Sequence, residues 1–399
     1  MAVTIPKPLL KNADPMNVAV NQHMIPRCYM KAWGYNKKKT SVWIYDKEKS
    51  YSKSLFHTTD WKICSKPTEK INAIDNFHDL KAGSIYLPPD ALREIFEPLL
   101  SIVCVQLDGD SLDTEEKLWK GYRQFDRWVV TDMLGTPLTE DELDDLKIYF
   151  RDSRYTFVET EWSYTYENDW HNFINSFEAK VRRNNVDKRM GKNITDAITK
   201  DEIDKLMRYA VIYNFRSVEG SEEFNKILES VDIYQCLKEV TIPKTERIHP
   251  DDKTAADEFR HAKRVKDFID FLKFDTGTLK TFLLAYEKNL EPYIWLTDSG
   301  NPFITSNEPS FTYIRKDKLK EMIFVASPTM LVSFIKGCGN NYYVEDASVE
   351  KVKEYNKVIA ERGNIIIVPN QNYDIQSLLK MTFFSRLIYS LKNLFVRNR

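Results

Sequence analysis

The sequence predicts an α+β protein, with an N-terminal strand or hairpin and a C-terminal antiparallel sheet joined by a large helical middle layer. Three observations predict it. Near the N-terminus, Ser41-Val42-Trp43-Ile44-Tyr45-Asp46 is a β-branched and aromatic run. Between residues 91 and 290, apolar side chains recur at helical spacing behind capping signals. From Tyr293 onward the pattern changes to short apolar runs separated by turn residues. Strands at both ends with helices between them give the α+β arrangement, in which the N-terminal strand is expected to join the C-terminal sheet.

Residues 1–20 read as an arm. The dense block 21–33 and the strand at 41–46 are expected to form a hairpin-like unit across the Lys37 to Lys39 run. Pro88-Pro89-Asp90 opens a helix expected over 91–106. A second is expected over about 114–134, with Leu118, Trp119, Tyr122, Phe125 and Val129 on one stripe. Thr139-x-x-Glu142 and Thr199-x-x-Glu202 have capping-box spacing, in which hydroxyl and carboxylate satisfy each other's unpaired amides at a helix start. Further helices are expected at 166–184, 222–238, 254–273 and 278–290, the last two split at Asp275-Thr276-Gly277. A tight hairpin is expected over 293–297 and 303–305, across the turn Asp298-Ser299-Gly300-Asn301. Strands at 322–326, 330–335 and 364–368, with a helix over 348–362, complete the sheet. The domain reading is an arm at 1–20, one α+β domain over 21–370, and an amphipathic basic helix over 371–399.

The totals bound the function. At 399 residues the chain exceeds the size at which one core usually stops growing, so one large or two interleaved domains are expected. Lys plus Arg number 58 against 59 Asp plus Glu, which leaves no global electrostatic footprint for nucleic acid. Cys28, Cys64, Cys104, Cys236 and Cys338 are odd in number and never spaced Cys-x-x-Cys, the usage of a reducing cytoplasm. No apolar run reaches the length of a transmembrane segment, and a cytoplasmic location is expected.

The chain carries no Gly-rich phosphate loop, dinucleotide fingerprint, nucleophile elbow or His-Glu-x-x-His helix. His261-Ala262-Lys263 followed by Asp267 approaches a phosphodiesterase pattern but has the wrong spacing, and an ordinary charged helix face is expected there. Two stretches stand out. Residues 21–33 hold His23, Pro26, Arg27, Cys28, Tyr29 and Trp33, and Phe303-Ile304-Thr305-Ser306-Asn307-Glu308-Pro309 follows almost three hundred residues later. The first resembles the motif His-Tyr-Val-Pro-x-x-Tyr-Leu-x-x-Phe of the bacterial family called domain of unknown function 4238, and the second resembles its Phe-x-Thr-Ser-Asp-x-Pro. The resemblance extends over roughly 18–370, taking in Arg208 to Ser217 with its terminal Arg216. It implies a bacterial cytoplasmic protein, with a role in defence against phage or mobile elements sometimes suspected. It carries over His23, Pro26, Arg216, Thr305, Ser306 and Pro309. This chain departs at Asn307, where the family has Asp.

A histidine is suited to proton transfer near neutral pH, and a Thr-Ser-Asn-Glu turn gathers hydroxyls, an amide and a carboxylate in a small volume. The candidate catalytic residues are therefore His23, Thr305, Ser306, Asn307 and Glu308, with Arg216 and Arg27 to bind substrate. Together they would suit hydrolysis of a nucleic acid or nucleotide phosphodiester. The competing reading makes His23, Thr305, Ser306 and Arg216 structural and the protein a non-catalytic binding or sensor protein. No metal set and no cofactor can be named. Two partner surfaces are expected: the basic stretch Lys180, Arg182, Arg183, Lys188, Arg189 and Lys192 for nucleic acid, and residues 378–399 for a protein or membrane surface.

Overall fold

The computed structural model describes residues 21–23, 25–47, 62–71, 73–75, 89–155, 162–217, 232–243, 253–315, 317–337 and 341–379. With about 49% helix and 23% strand, mostly in antiparallel sheets, the fold is α+β. The arm, residues 222–231 of the helix expected at 222–238, and 380–399 of the C-terminal helix lie outside the described residues. The chain divides into two compact units, 1–22 with 74–166 and 223–282, and 23–73 with 167–222 and 283–399.

In the first unit a three-stranded antiparallel sheet is built from Val103–Leu107, Asp110–Ser111 and Trp128–Asp132. It corrects two helix expectations. The helix that starts at Pro89 ends at Leu100, because Val103 and Val105 alternate buried with exposed Cys104, a period-two pattern that suits a strand. The next helix, Glu115–Gly121, gives way at Gly121, where an added Cβ would stand 2.8 Å from Leu112 Cδ1. A 3-10 segment follows, then the strand at Trp128. The helices Glu140–Tyr155, Asp232–Lys238 and Ala255–Phe274 also belong to this unit, and Gly277–Asn289 begins in it. The split at 275–277 is as expected, with Asp275 left-handed at φ 52°.

The second unit contains, in chain order, α1 Arg27–Met30, β1 Ser41–Asp46, β2 Cys64–Pro67, α2 Asn168–Arg189, α3 Lys200–Arg216, β3 Leu290–Leu296, β4 Thr305–Ser306, β5 Ser310–Ile314, β6 Lys320–Ser327, β7 Met330–Lys336, β8 Tyr343–Asp346, α4 Val349–Arg362 and β9 Ile365–Val368. One sheet has the order β5-β6-β7-β3-β8, antiparallel except for β8 on β3, and the other has the order β2-β1-β9-β4. The N-terminal strand does join the C-terminal sheet, since β1 pairs antiparallel with β9.

Both expected hairpins are replaced. Block 21–33 is not the partner of β1: Asn21–His23 pairs with Ala73–Asp75, Pro26 leads into α1, and Lys31–Trp33 continues as 3-10 helix. Pro at the entry of a helix needs no amide partner, which favours this over a strand. At 293–305, the Asp298 carboxylate accepts from the amides of Gly300 and Asn301, as the turn composition suggests. The chain then leaves the first sheet. β3 pairs with β7, whereas β4 pairs with β9 in the second sheet.

The five-stranded sheet is covered on both faces. Phe324 points to α2 and α3, meeting Trp170 at 5.9 Å and Tyr213 at 5.6 Å between ring centroids. The other face receives α4, whose buried side chains include Val352, Tyr355 and Ile359. Ser348 caps α4 by accepting from the amide of Lys351, and Thr199 and Glu202 form the expected capping box at α3.

Candidate functional site

The two distant motifs meet inside the second unit. The Tyr29 hydroxyl donates to the carbonyl of Val325 at 2.7 Å, which leaves its oxygen to accept from Thr305 Oγ1 at 2.7 Å. Trp33 Nε1 donates to the carbonyl of Phe303 at 3.0 Å. One phenol from α1 therefore ties β4 of one sheet to β6 of the other. Around it Trp33, Trp170 and Tyr213 pack at centroid distances of 5.0, 5.8 and 5.1 Å. Burial pushes the Tyr29 phenol well above its ordinary pKa, so it is a fixed donor and not a titrating group.

The second motif is spent on the same framework. The Ser306 hydroxyl accepts from the amide of Glu308 at 3.1 Å. Asn307 Oδ1 accepts from the amides of Asn364 and Ile365 at 2.8 and 3.0 Å. Glu308, 1% exposed, accepts from Arg362 Nε at 2.8 Å. Gly363 lies against this turn, where an added Cβ would stand 2.2 Å from Ser306 Cβ.

Arg216 ends α3 at 1% exposure, and Arg27 lies exposed on α1. Burial and the charge of Glu167 push the neighbouring Cys28 thiol far up, against a smaller downward pull from Arg216. His23 ends the strand Asn21–His23, and its side chain lies outside the described residues. The structure thus brings the two motifs together through Tyr29 and Trp33, which were not singled out for chemistry, and seals Thr305 to Glu308 away from solvent.

Open chemistry lies instead on the α4 face of the five-stranded sheet. Cross-strand register places Tyr313 opposite Glu321, Ile323 opposite Ser333, Ser333 opposite Tyr293, and Tyr293 opposite Tyr343. Since alternate residues share a face, Tyr313, Glu321, Ser333, Tyr293 and Tyr343 form one polar and aromatic row across all five strands. At the β5 and β6 end, α4 leaves a cleft of about 270 Å³ lined by Tyr313, Arg315, Glu321, Lys351, Glu354 and Tyr355, among others. Glu321 is 4% exposed and accepts from Ser333 Oγ at 2.6 Å. Burial raises its pKa above the usual carboxylate range, against smaller downward effects from Ser333, Arg315 and Lys351. Lys351 pairs with Glu354 at 2.9 Å and lies 5.1 and 4.8 Å from the ring centres of Trp295 and Tyr355. The sequence hid this site because its lining comes from two strands, the connection between them and a distant helix, with no local motif.

The basic stretch on α2 is largely committed within the chain. Lys180 pairs with Asp196 and Glu202, Arg182 with Glu178, Arg183 with Asp196, and Arg189 with Asp346. Lys263 likewise pairs with Asp267 on the helix Ala255–Phe274, the ordinary charged face expected there. Among the described residues no helix is long and apolar enough to cross a membrane, and Cys28, Cys64, Cys104 and Cys236 are free thiols.

The family model described as protein of unknown function, DUF4238, matches residues 21–372, and so takes in both motifs and the cleft. The chain belongs to the DUF4238 family. Neither the curated proteins nor the solved structures give a match. The two DUF4238 motifs are thus joined in this chain by a buried hydroxyl bridge, with the cleft on the opposite face of the sheet from α2 and α3.

Proposed function

We propose that this DUF4238 protein is a hydrolytic acid–base enzyme acting on a phosphoester of the nucleotide class at the Glu321 cleft. The observation that carries the reading is a buried carboxyl of raised pKa that lines a cleft beside Arg315 and Lys351. A carboxylic acid that keeps its proton above the usual carboxylate range can donate to a leaving oxygen, while cations hold the phosphate. In this reaction the Glu321 proton passes to the leaving oxygen as the P–O bond breaks. A water oxygen bonds to phosphorus, and the water's proton passes to Glu354 or to solvent. Tyr29, Thr305, Ser306, Asn307 and Glu308 serve as the framework that fixes β6 and α4, and no role in the reaction is assigned to His23, Arg216 or Arg27.

The test is turnover of bis(p-nitrophenyl) phosphate and of nucleotides by the native chain and by Glu321→Gln. The variant should lose about 10²- to 10⁴-fold in kcat while its thermal unfolding stays cooperative. Native turnover should fall as pH rises through the raised Glu321 value, because the acid must carry its proton. Absence of turnover in the native chain, or equal turnover in the variant, would overturn the reading. The defence or toxin-like role belongs with it: growth arrest by the overexpressed native chain, absent with Glu321→Gln, is the cellular outcome expected.

A further inference from the structure

Beside the cleft, the row of residues continues as a ledge of stacked rings. Tyr293 stacks on Trp295 at 4.6 Å with 29° between planes, and on Tyr343 at 5.5 Å with 19°. The ledge ends at edge strand β8, where Tyr343 is 44% exposed. Glu345 shares this face. Burial and the neighbouring Glu345 carboxylate push the Tyr293 phenol up to about 12. Asp346, the other acid of β8, is neutralised by Arg189 and accepts from Asn185 Nδ2 at 3.1 Å.

At the opposite edge, the β5–β6 connection is strongly basic. Its sequence is Arg315-Lys316-Asp317-Lys318-Leu319-Lys320, four cations and a single acid. Arg315 pairs with Asp317 at 3.1 Å, whereas Lys318 and Lys320 are exposed and have no acid partner among the described residues. A phosphate-attracting hairpin and an aromatic ledge therefore lie toward opposite edges of one sheet face, with α4 packed between them over Ser333 and Trp295.

We infer that this face binds single-stranded nucleic acid, with phosphates at the 315–320 hairpin and a base stacked on Tyr343. The inference rests on the hydrolase reading for the cleft and names its substrate. Binding without sequence preference combines a basic track with aromatic platforms, and both are present on this face. Length decides against a mononucleotide. From β6, which carries Glu321, to β8, which carries Tyr343, is three strand spacings, about 14 Å. That is about four stacked-base steps at roughly 3.4 Å each. A strand of a few nucleotides reaches from cleft to ledge, and one nucleotide does not. Duplex is disfavoured because its bases present no free face to Tyr343. Glu345 offers an acceptor to the exocyclic amine of a stacked base.

The experiment is fluorescence anisotropy of a labelled single-stranded DNA hexamer, and of the same sequence as duplex, titrated with the full chain. The native chain should bind the single strand more tightly than the duplex. Tyr343→Ala should weaken single-strand binding by about 5- to 150-fold. Lys318→Glu combined with Lys320→Glu should weaken it further and flatten its salt dependence. Equal binding of duplex, no binding by the native chain, or affinities unchanged in both variants would overturn the inference. The two readings fail separately. Hexamer binding without hydrolysis would sink the enzyme and leave the nucleic-acid surface. Glu321-dependent turnover of small phosphoesters without hexamer binding would do the reverse.

Discussion

Asn307 accepts from two backbone amides at the start of β9, and an apolar replacement leaves both unsatisfied inside the protein. Asn307→Ala should therefore cost about 1–3 kcal/mol, read as a lowered urea midpoint with an unchanged m-value. Tyr29→Phe removes the hydroxyl that serves Thr305 and Val325, and should cost a similar amount while leaving the cleft's substrate affinity unaltered. Glu321 behaves differently because the cost of burying its charge outweighs what Ser333, Arg315 and Lys351 return on ionising. Its folded pKa lies above its unfolded one, so over that interval the folded state holds the extra proton. Its contribution is complete below the ordinary carboxylate range and is lost as pH rises through the raised value. Comparison of native chain and Glu321→Gln by urea unfolding at several pH values should show the variant gaining relative stability toward alkaline pH. A constant difference would contradict the burial argument.

The elements show which parts of the sequence were legible. Helices with local signals, such as α3 behind Thr199 and Glu202 or α4 behind Ser348, are written in a few adjacent residues and appear where expected. Apolar runs without such signals do not announce the change to period two after a helix, and the strands at Val103 and Trp128 replace the expected helical continuation. The expected hairpin at 293–305 failed for another reason. Its turn forms as read, but the choice of partner strand depends on β7 and β9, far along the chain. Close approach is equally invisible. Gly363 is required not by its backbone angles but by Ser306 packed against its Cα, so Gly363→Ala should destabilise by about 1–3 kcal/mol. The loss should appear as a lowered Tm, with the β9 amides losing protection in hydrogen exchange.

At the scale of the molecule, a formal charge of -1 conceals local order. The α2 cations that look like a nucleic-acid stretch in sequence are held by Glu178, Asp196, Glu202 and Asp346, whereas the shorter hairpin 315–320 leaves Lys318 and Lys320 exposed. Linear charge density could not separate the two, because pairing is decided by which acids the fold brings near. The motifs themselves were legible, but their meeting point was not, because it is made by Tyr29 and Trp33 across almost three hundred residues. A buried hydroxyl bridge and a catalytic turn draw on the same residue types, so sequence alone does not separate them. Among the described residues the Glu321 cleft stands open, and one measurement tests it most directly: the pH profile of phosphoester turnover by the native chain beside Glu321→Gln. The native profile should fall as pH rises through the raised Glu321 value, and the variant should be slower by at least about a hundredfold with no such limb. A variant that keeps native turnover and the native profile would contradict it.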